Sequence, residues 1–236
     1  SSAAGPYGDW IHDVDLSVGR ILEALDRLDY AEETLILFTS DNGGVAGENE
    51  RLEVSQAARA GLAVNGPYRG GKRSIYEGGF RVPLVARWPA AIPAGSVRGE
   101  MVGLVDLVAT LAGVAGAEVP EQAAADSVSF LPALLGRPDA QQPRGSMIVH
   151  AGDGNFGLRW SRWKWIEGRP DPDRSRRAYP GLEDEHRPQL YDLLSDPAEQ
   201  RDLAAQYPEV AALMQRLLER RRGSDARADL TEDPAP

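Results

Sequence analysis

Asp41 and Asn42 stand side by side in the string Ser40-Asp41-Asn42-Gly43-Gly44. A carboxylate beside an amide carbonyl offers hard oxygen ligands, the donor type suited to calcium or magnesium. The same string is also plain turn chemistry, because Asp, Asn and Gly all favour tight turns. Further along, Lys72 lies in Gly66-Pro67-Tyr68-Arg69-Gly70-Gly71-Lys72-Arg73-Ser74-Ile75-Tyr76-Glu77-Gly78-Gly79-Phe80-Arg81-Val82-Pro83, a stretch dense in glycine. Glycines let backbone approach a ligand closely, and a lysine ammonium is a compact point charge that could neutralise an oxyanion. The bland alternative is a surface lysine on a glycine loop. A third candidate, His150, ends the strand-like run Met147–His150 before a Gly-containing turn. It could face a substrate or act as a general acid, or simply sit at a subdomain junction.

These residues need elements to hold them. Thr34-Leu35-Ile36-Leu37-Phe38-Thr39 is apolar and rich in β-branched or aromatic residues, the pattern of a strand buried on both faces in a parallel sheet. It feeds directly into Asp41 and Asn42, and in open α/β sheets ligands sit beyond the carboxyl ends of strands. Upstream, Ile11, Val14, Val18, Ile21, Leu22, Leu25 and Leu28 recur at gaps of three and four, one face of an amphipathic helix over about Gly8–Leu28. Helix then strand is half of a repeating α/β unit. His12 falls on that helix as a surface or boundary histidine. Val82 to Trp88 reads as a second strand, Leu104 to Val114 as a helix stopped by Gly116, and Ser129 to Gly136 as a short helical turn.

The polar, proline-bounded Pro138–Arg144 is the best linker. Beyond it, Met147–His150, Phe156–Trp160, Trp163–Ile166 and Gln189–Leu193 are short strand-like runs, a small antiparallel sheet. Trp160, Trp163 and Trp165 alternate there and are read as sheet cover. Asp171 to Arg187, with His186, is a charged solvated loop. Pro208 opens a last helix bearing Val210, Leu213, Met214, Leu217 and Leu218 on one face. The expected organisation is residues 1–143 as part of an α/β domain, 144–223 as a small α+β subdomain, and 224–236 as a disordered tail.

The 236 residues are 42% hydrophobic and 26% charged, a globular composition with a net charge of −10. That charge argues against nucleic acid as a partner. It leaves room for an anionic substrate at a local cationic cluster. No apolar run is long enough to span a membrane. With no initial methionine and no signal peptide, the chain is expected to be a processed, trimmed or incomplete product, and its compartment stays open. Zero cysteines remove disulfides and thiolate metal sites.

Taken together, the S-D-N-G turn after an apolar strand and the later G-x-x-R-G-x-K-x-x-x-x-E-G-G-x-R-V-P resemble the sulfatase family of the alkaline-phosphatase-like superfamily. The resemblance extends through His150–Ile166 and the L-Y-D-L-x-x-D-P-x-E run at Leu190–Ala204, so it covers about Tyr7 to Arg220. It implies an α/β fold: part of a mixed sheet-and-helix domain, then a small antiparallel sheet with a packed helix. It implies sulfate-ester hydrolysis, with Asp41 and Asn42 ligating a divalent cation, usually calcium, and Lys72 contacting the sulfate. Magnesium is the other ion considered. Arg69, Glu77 and Arg81 are read as supporting the loop, and the Val45–Asn65 insert as a place for substrate contacts.

The family's nucleophile is a formylglycine made from Cys or Ser in a C/S-x-P/A-x-R motif near the N-terminus. Ser55-Gln56-Ala57-Ala58-Arg59 fits the loose pattern, but it follows the Asp-Asn turn instead of preceding it, and is a chance match. The resemblance implies attack by the hydrated aldehyde on sulfur, loss of the alcohol, and release of sulfate. This chain would supply metal and sulfate contacts without the nucleophile and would be inactive by itself. Its expected partners are a sulfated small molecule or carbohydrate and the missing N-terminal half of the same protein. Ser127 stands where the family usually has glycine. Two rivals remain: a phosphate or phosphonate ester hydrolase of the same superfamily, and a truncated binding or structural module.

Overall fold

The computed structural model describes residues 2–45, 54–120, 123–137, 143–152, 154–168 and 187–223. The expected disordered tail, His186, most of the charged loop and most of the linker lie outside them. The chain divides into two compact units, Ser1–Ala94 and Gly95–Pro236.

In the first unit, α1 (Gly5–Arg27) is the long amphipathic helix, with a proline in its opening turn where a missing N–H costs nothing. The strand β1 (Ile36–Thr39) is shorter than the apolar run suggests. Among the described residues it has no parallel neighbour. It pairs antiparallel with β2 (Leu84–Arg87), Ile36 opposite Arg87 and Thr39 opposite Leu84. Among the described residues between them are the short helices α2 (Val54–Arg59) and α3 (Glu77–Phe80) and no helix that crosses over the sheet. Parallel strands require such a crossover. Nor is β1 buried on both faces: Phe38 is exposed, as are Leu84 and Val85 on its partner. The buried heart of this unit is instead the glycine loop, where Ser74, Ile75, Tyr76 and Glu77 are almost fully enclosed.

The second unit opens with a 3-10 turn (Leu104–Asp106) running into α4 (Leu107–Ala115), ended by Gly116 at φ +64. Asp106 is fully buried and accepts from the N–H groups of Gly103 (2.8 Å) and Val128 (2.9 Å) and from Arg144 Nε (3.1 Å). One carboxylate thus ties the helix entry to two loops. Ser127 Oγ accepts from the Ala109 N–H at 3.0 Å, satisfying an amide in the first turn of α4. The short helix α5 (Leu131–Leu134) follows.

Four strands then form an antiparallel sheet in chain order: β3 (Ser146–His150), β4 (Phe156–Trp160), β5 (Trp163–Ile166) and β6 (Gln189–Asp192). The last helix, α6 (Pro208–Gly223), packs on it. Trp160 lies opposite Trp163 and Leu158 opposite Trp165; these residues meet Met214, Leu217 and Leu218 of α6 in one core. Each fully buried aliphatic side chain there contributes about 1.5–3 kcal/mol. Trp165 Nε1 donates to Gln215 Oε1 at 2.7 Å, so the sheet-to-helix contact is also directional. The tryptophans are core, as their alternation suggests. Elsewhere in this unit Lys164 and Glu199, both fully buried, form an ion pair at 2.8 Å.

Candidate functional site

Strand β1 delivers Ser40–Gly44 as a turn at its carboxyl end. Ser40 Oγ donates to the Asn42 carbonyl at 3.0 Å, and Asn42 Nδ2 donates to the Gly43 carbonyl at 2.9 Å. The second bond fixes the amide plane and leaves Oδ1, the atom that could ligate a cation, on the other side of the group. Asp41 is exposed and has no cationic partner among the described residues. Hard oxygen donors fit calcium or magnesium, yet calcium takes about 6–8 of them. No group of three or more potential metal-ligating side chains occurs among the described residues. Asp41 and Asn42 therefore fit a cation by type and would hold only part of its shell.

The glycine loop is seated directly on this turn. Lys72 N–H donates to the Gly44 carbonyl at 2.9 Å, and Gly43 N–H donates to the Gly79 carbonyl at 3.0 Å. A Cβ on Gly43 would lie 1.7 Å from the Gly78 carbonyl oxygen; one on Gly78 would lie 2.5 Å from the carbonyl oxygens of Arg69 and Gly70. Backbone meets backbone here at a separation only glycine permits. Two motifs far apart in sequence are thereby one structure. The Lys72 side chain is exposed and without a carboxylate partner among the described residues.

The other charged groups of the loop are engaged in holding it. The Arg69 guanidinium lies 3.8 Å from the centroid of the buried Tyr76 ring. Arg81 lies 4.9 Å from the Tyr68 ring and 3.4 Å from Glu77, one helical turn away. Such cation–ring contacts are worth about 0.5–2 kcal/mol each. The geometry agrees with a supporting role for Arg69, Glu77 and Arg81.

His150 belongs to the second unit, at the exposed end of β3. Its ring stacks on Phe156 with centroids 4.1 Å apart, and the Arg222 guanidinium lies 4.2 Å from the same Phe156 ring. Arg222 also reaches Glu167 at 2.8 Å. The histidine ring is thus held in orientation by Phe156 of β4. His12 is exposed on α1. Of the insert, residues 46–53 lie outside the described residues, and Ser55 falls on the short α2.

Comparison with known proteins supplies the class. A family model described as Sulfatase matches residues 2–117, and one described as N-sulphoglucosamine sulphohydrolase, C-terminal, matches residues 69–173. The N-acetylgalactosamine-6-O-sulfatase of Bacteroides thetaiotaomicron is 34% identical over 218 residues, spanning 92% of this chain and 42% of the relative. A solved structure from work on the metabolism of multiple glycosaminoglycans by Bacteroides thetaiotaomicron superposes with a TM-score of 0.81 at 33% identity, over 94% of this chain and 45% of that one. Ps i-CgsB in complex with k-i-k-neocarrahexaose superposes with a TM-score of 0.70 at 28% identity, over 91% and 42%. The chain belongs to the sulfatase family and corresponds to a C-terminal portion of its members. It spans under half the length of these relatives.

Proposed function

We propose that this chain contributes the cation turn and the sulfate-binding lysine to a sulfate-ester hydrolase acting on sulfated carbohydrates or related small molecules. The observation that carries the reading is the 2.9 Å bond from Lys72 N–H to the Gly44 carbonyl, which couples the lysine loop to the Asp41-Asn42 turn. In this reading Lys72 meets the sulfate's non-bridging oxygens. Its ammonium offsets the charge that grows as the ester bond breaks, in a site from which substrate has displaced water. Asp41 and Asn42 hold part of a cation shell, with calcium the expected ion and magnesium the alternative. The bound cation would supply Lewis-acid charge stabilisation. His150, stacked on Phe156, is a candidate substrate contact. The nucleophile and the remaining cation ligands come from elsewhere in the full-length protein.

The exposed apolar surface of the first unit supports that last point. Trp10 (60% exposed), Ile11, Val14 and Ile21 run along α1 with Leu28 just past its end, and Phe38, Leu84 and Val85 (58% exposed) lie on the two-stranded sheet. A two-stranded sheet is marginal without further cover. The missing half of the protein is the proposed occupant of these faces.

The test is kinetic, on the full-length natural protein with calcium and with aryl sulfates and sulfated N-acetylhexosamines as substrates. Lys72→Ala should lower kcat about 10²–10³-fold while the circular dichroism spectrum is unchanged. Near-normal turnover by that variant refutes the lysine assignment. Cleavage of phosphate or phosphonate esters in preference moves the chemistry to that class, and no turnover of any ester leaves a binding module. The isolated chain should turn nothing over and bind calcium weakly; tight stoichiometric calcium binding to it would overturn the shared-shell reading.

A further inference from the structure

The last residue of the polar insert, Asn65, makes three side-chain hydrogen bonds that join the two loops of the site. Its Oδ1 accepts from the Gly44 N–H at 2.7 Å, and its Nδ2 donates to the Gly44 carbonyl at 3.0 Å and to the Gly70 carbonyl at 2.9 Å. A carboxamide has one acceptor oxygen and two donor hydrogens. This site calls on the oxygen once and on both hydrogens, so an amide fits where neither a carboxylate nor a hydroxyl would. The Gly44 carbonyl receives a second bond from Lys72 N–H at 2.9 Å. Gly44 lies two residues beyond Asn42, and Gly70 lies two residues before Lys72.

We infer that Asn65 is the positioning residue that sets the spacing between the cation turn and the sulfate-binding lysine, an assignment that rests on the sulfatase reading for its catalytic consequence. Asn65 touches neither substrate nor cation in this scheme. It clamps the backbone on both sides, and catalysis by charged groups tolerates little displacement: a 1 Å error costs about 10²-fold. Asp is the informative replacement. It matches Asn in shape and keeps the acceptor for Gly44 N–H, but turns lone pairs toward the carbonyls of Gly44 and Gly70.

The experiment compares wild type, Asn65→Asp and Asn65→Ala in the full-length protein. It measures steady-state kinetics on an aryl sulfate, calcium affinity by calorimetry, thermal midpoint, and hydrogen exchange at individual amides. Asn65→Asp is expected to lower kcat about 10²-fold, to weaken calcium binding, and to speed exchange at the amides of Gly44 and Lys72, while exchange in α6 is unchanged. A residue that merely fills the loop would shift the thermal midpoint and leave calcium affinity and kcat in place; that result overturns the inference. Should the wild-type protein cleave no sulfate ester, the functional reading fails, and the exchange data still decide this one. Retained protection of Gly44 and Lys72 in both variants refutes the clamp, and its loss upholds it.

Discussion

Gly43→Ala tests the close seating of the two loops most directly. The added Cβ would stand 1.7 Å from the Gly78 carbonyl oxygen, 2.8 Å from the Gly78 carbonyl carbon and 3.2 Å from Gly79 Cα. Ordinary contact begins at 3.4 Å, so the oxygen and the new methyl must separate by a further 1.7 Å. All three obstacles are backbone, and no rotamer change can relieve them. The movement would break the 3.0 Å bond from Gly43 N–H to the Gly79 carbonyl. Overpacking costs about 1–3 kcal/mol, and a buried donor left unsatisfied costs about 1–3 kcal/mol more. The sum is a loss of about 2–6 kcal/mol, localised to the first unit. Asp41 and Asn42 precede Gly43 directly and would move with it, so kcat/KM on an aryl sulfate should fall by at least about 10²-fold. Gly99→Ala is the control, since a Cβ there meets nothing within 4 Å, and its effect should stay within about 0.5 kcal/mol. Thermal unfolding and initial-rate kinetics on the full-length protein read both quantities. A Gly43→Ala protein with wild-type midpoint and kcat/KM within about threefold would refute the seating argument and the claim that the two motifs form one site.

Three further outcomes concern the second unit. Glu199→Ala removes the carboxylate 2.8 Å from the fully buried Lys164 ammonium and should cost about 3–5 kcal/mol by chemical denaturation, whereas Lys164→Met with Glu199→Leu should recover most of the loss. If the single and double variants are equally destabilised, the pair is not the cause. Asp192 is held down to about 2 chiefly by its hydrogen bond from Arg162, against the opposing effect of burial, with help from the Ser195 hydroxyl and the Leu194 N–H. Its folded value lies below the ordinary 3.8, so its stabilising contribution is complete above about pH 4 and is lost as pH falls toward 2. Asp192→Asn should flatten that part of the acid limb of the stability profile, and an unchanged limb would rule the pair out as its source. Ser127→Gly should cost about 1 kcal/mol through loss of the 3.0 Å bond to Ala109 N–H; a neutral or stabilising effect would mean that water serves that amide equally well.

The parts of the structure that sequence anticipates share one property: each is fixed by residues close together in the chain. The spacing from Ile11 to Leu28 makes α1, the short apolar runs between turn residues make β3 to β6, and Gly116 ends α4 with the left-handed backbone that glycine tolerates. The failures are long-range. Whether Ile36–Thr39 runs parallel or antiparallel to a neighbour depends on what the following chain does before it returns, and apolar content is blind to that. Asp106 looks like any helix-start acid until the loops carrying Val128 and Arg144 fold onto it. Asn65 was hidden for the same reason, since nothing in the insert's composition shows that its last amide reaches Gly44. Of the residues most visible as chemistry, Asp41 and Lys72 are exposed and Asn42 is half-buried, and their side chains make few contacts of their own. Those that hold them in register, Asn65 and the glycines at 43, 78 and 79, carry no charge. A search for titratable groups finds the first set and passes over the second. Here the glycines set how closely the loops approach and the amide sets how they are aligned, so loss of either should displace the Asp41-Asn42 turn from Lys72 with every charged group still present.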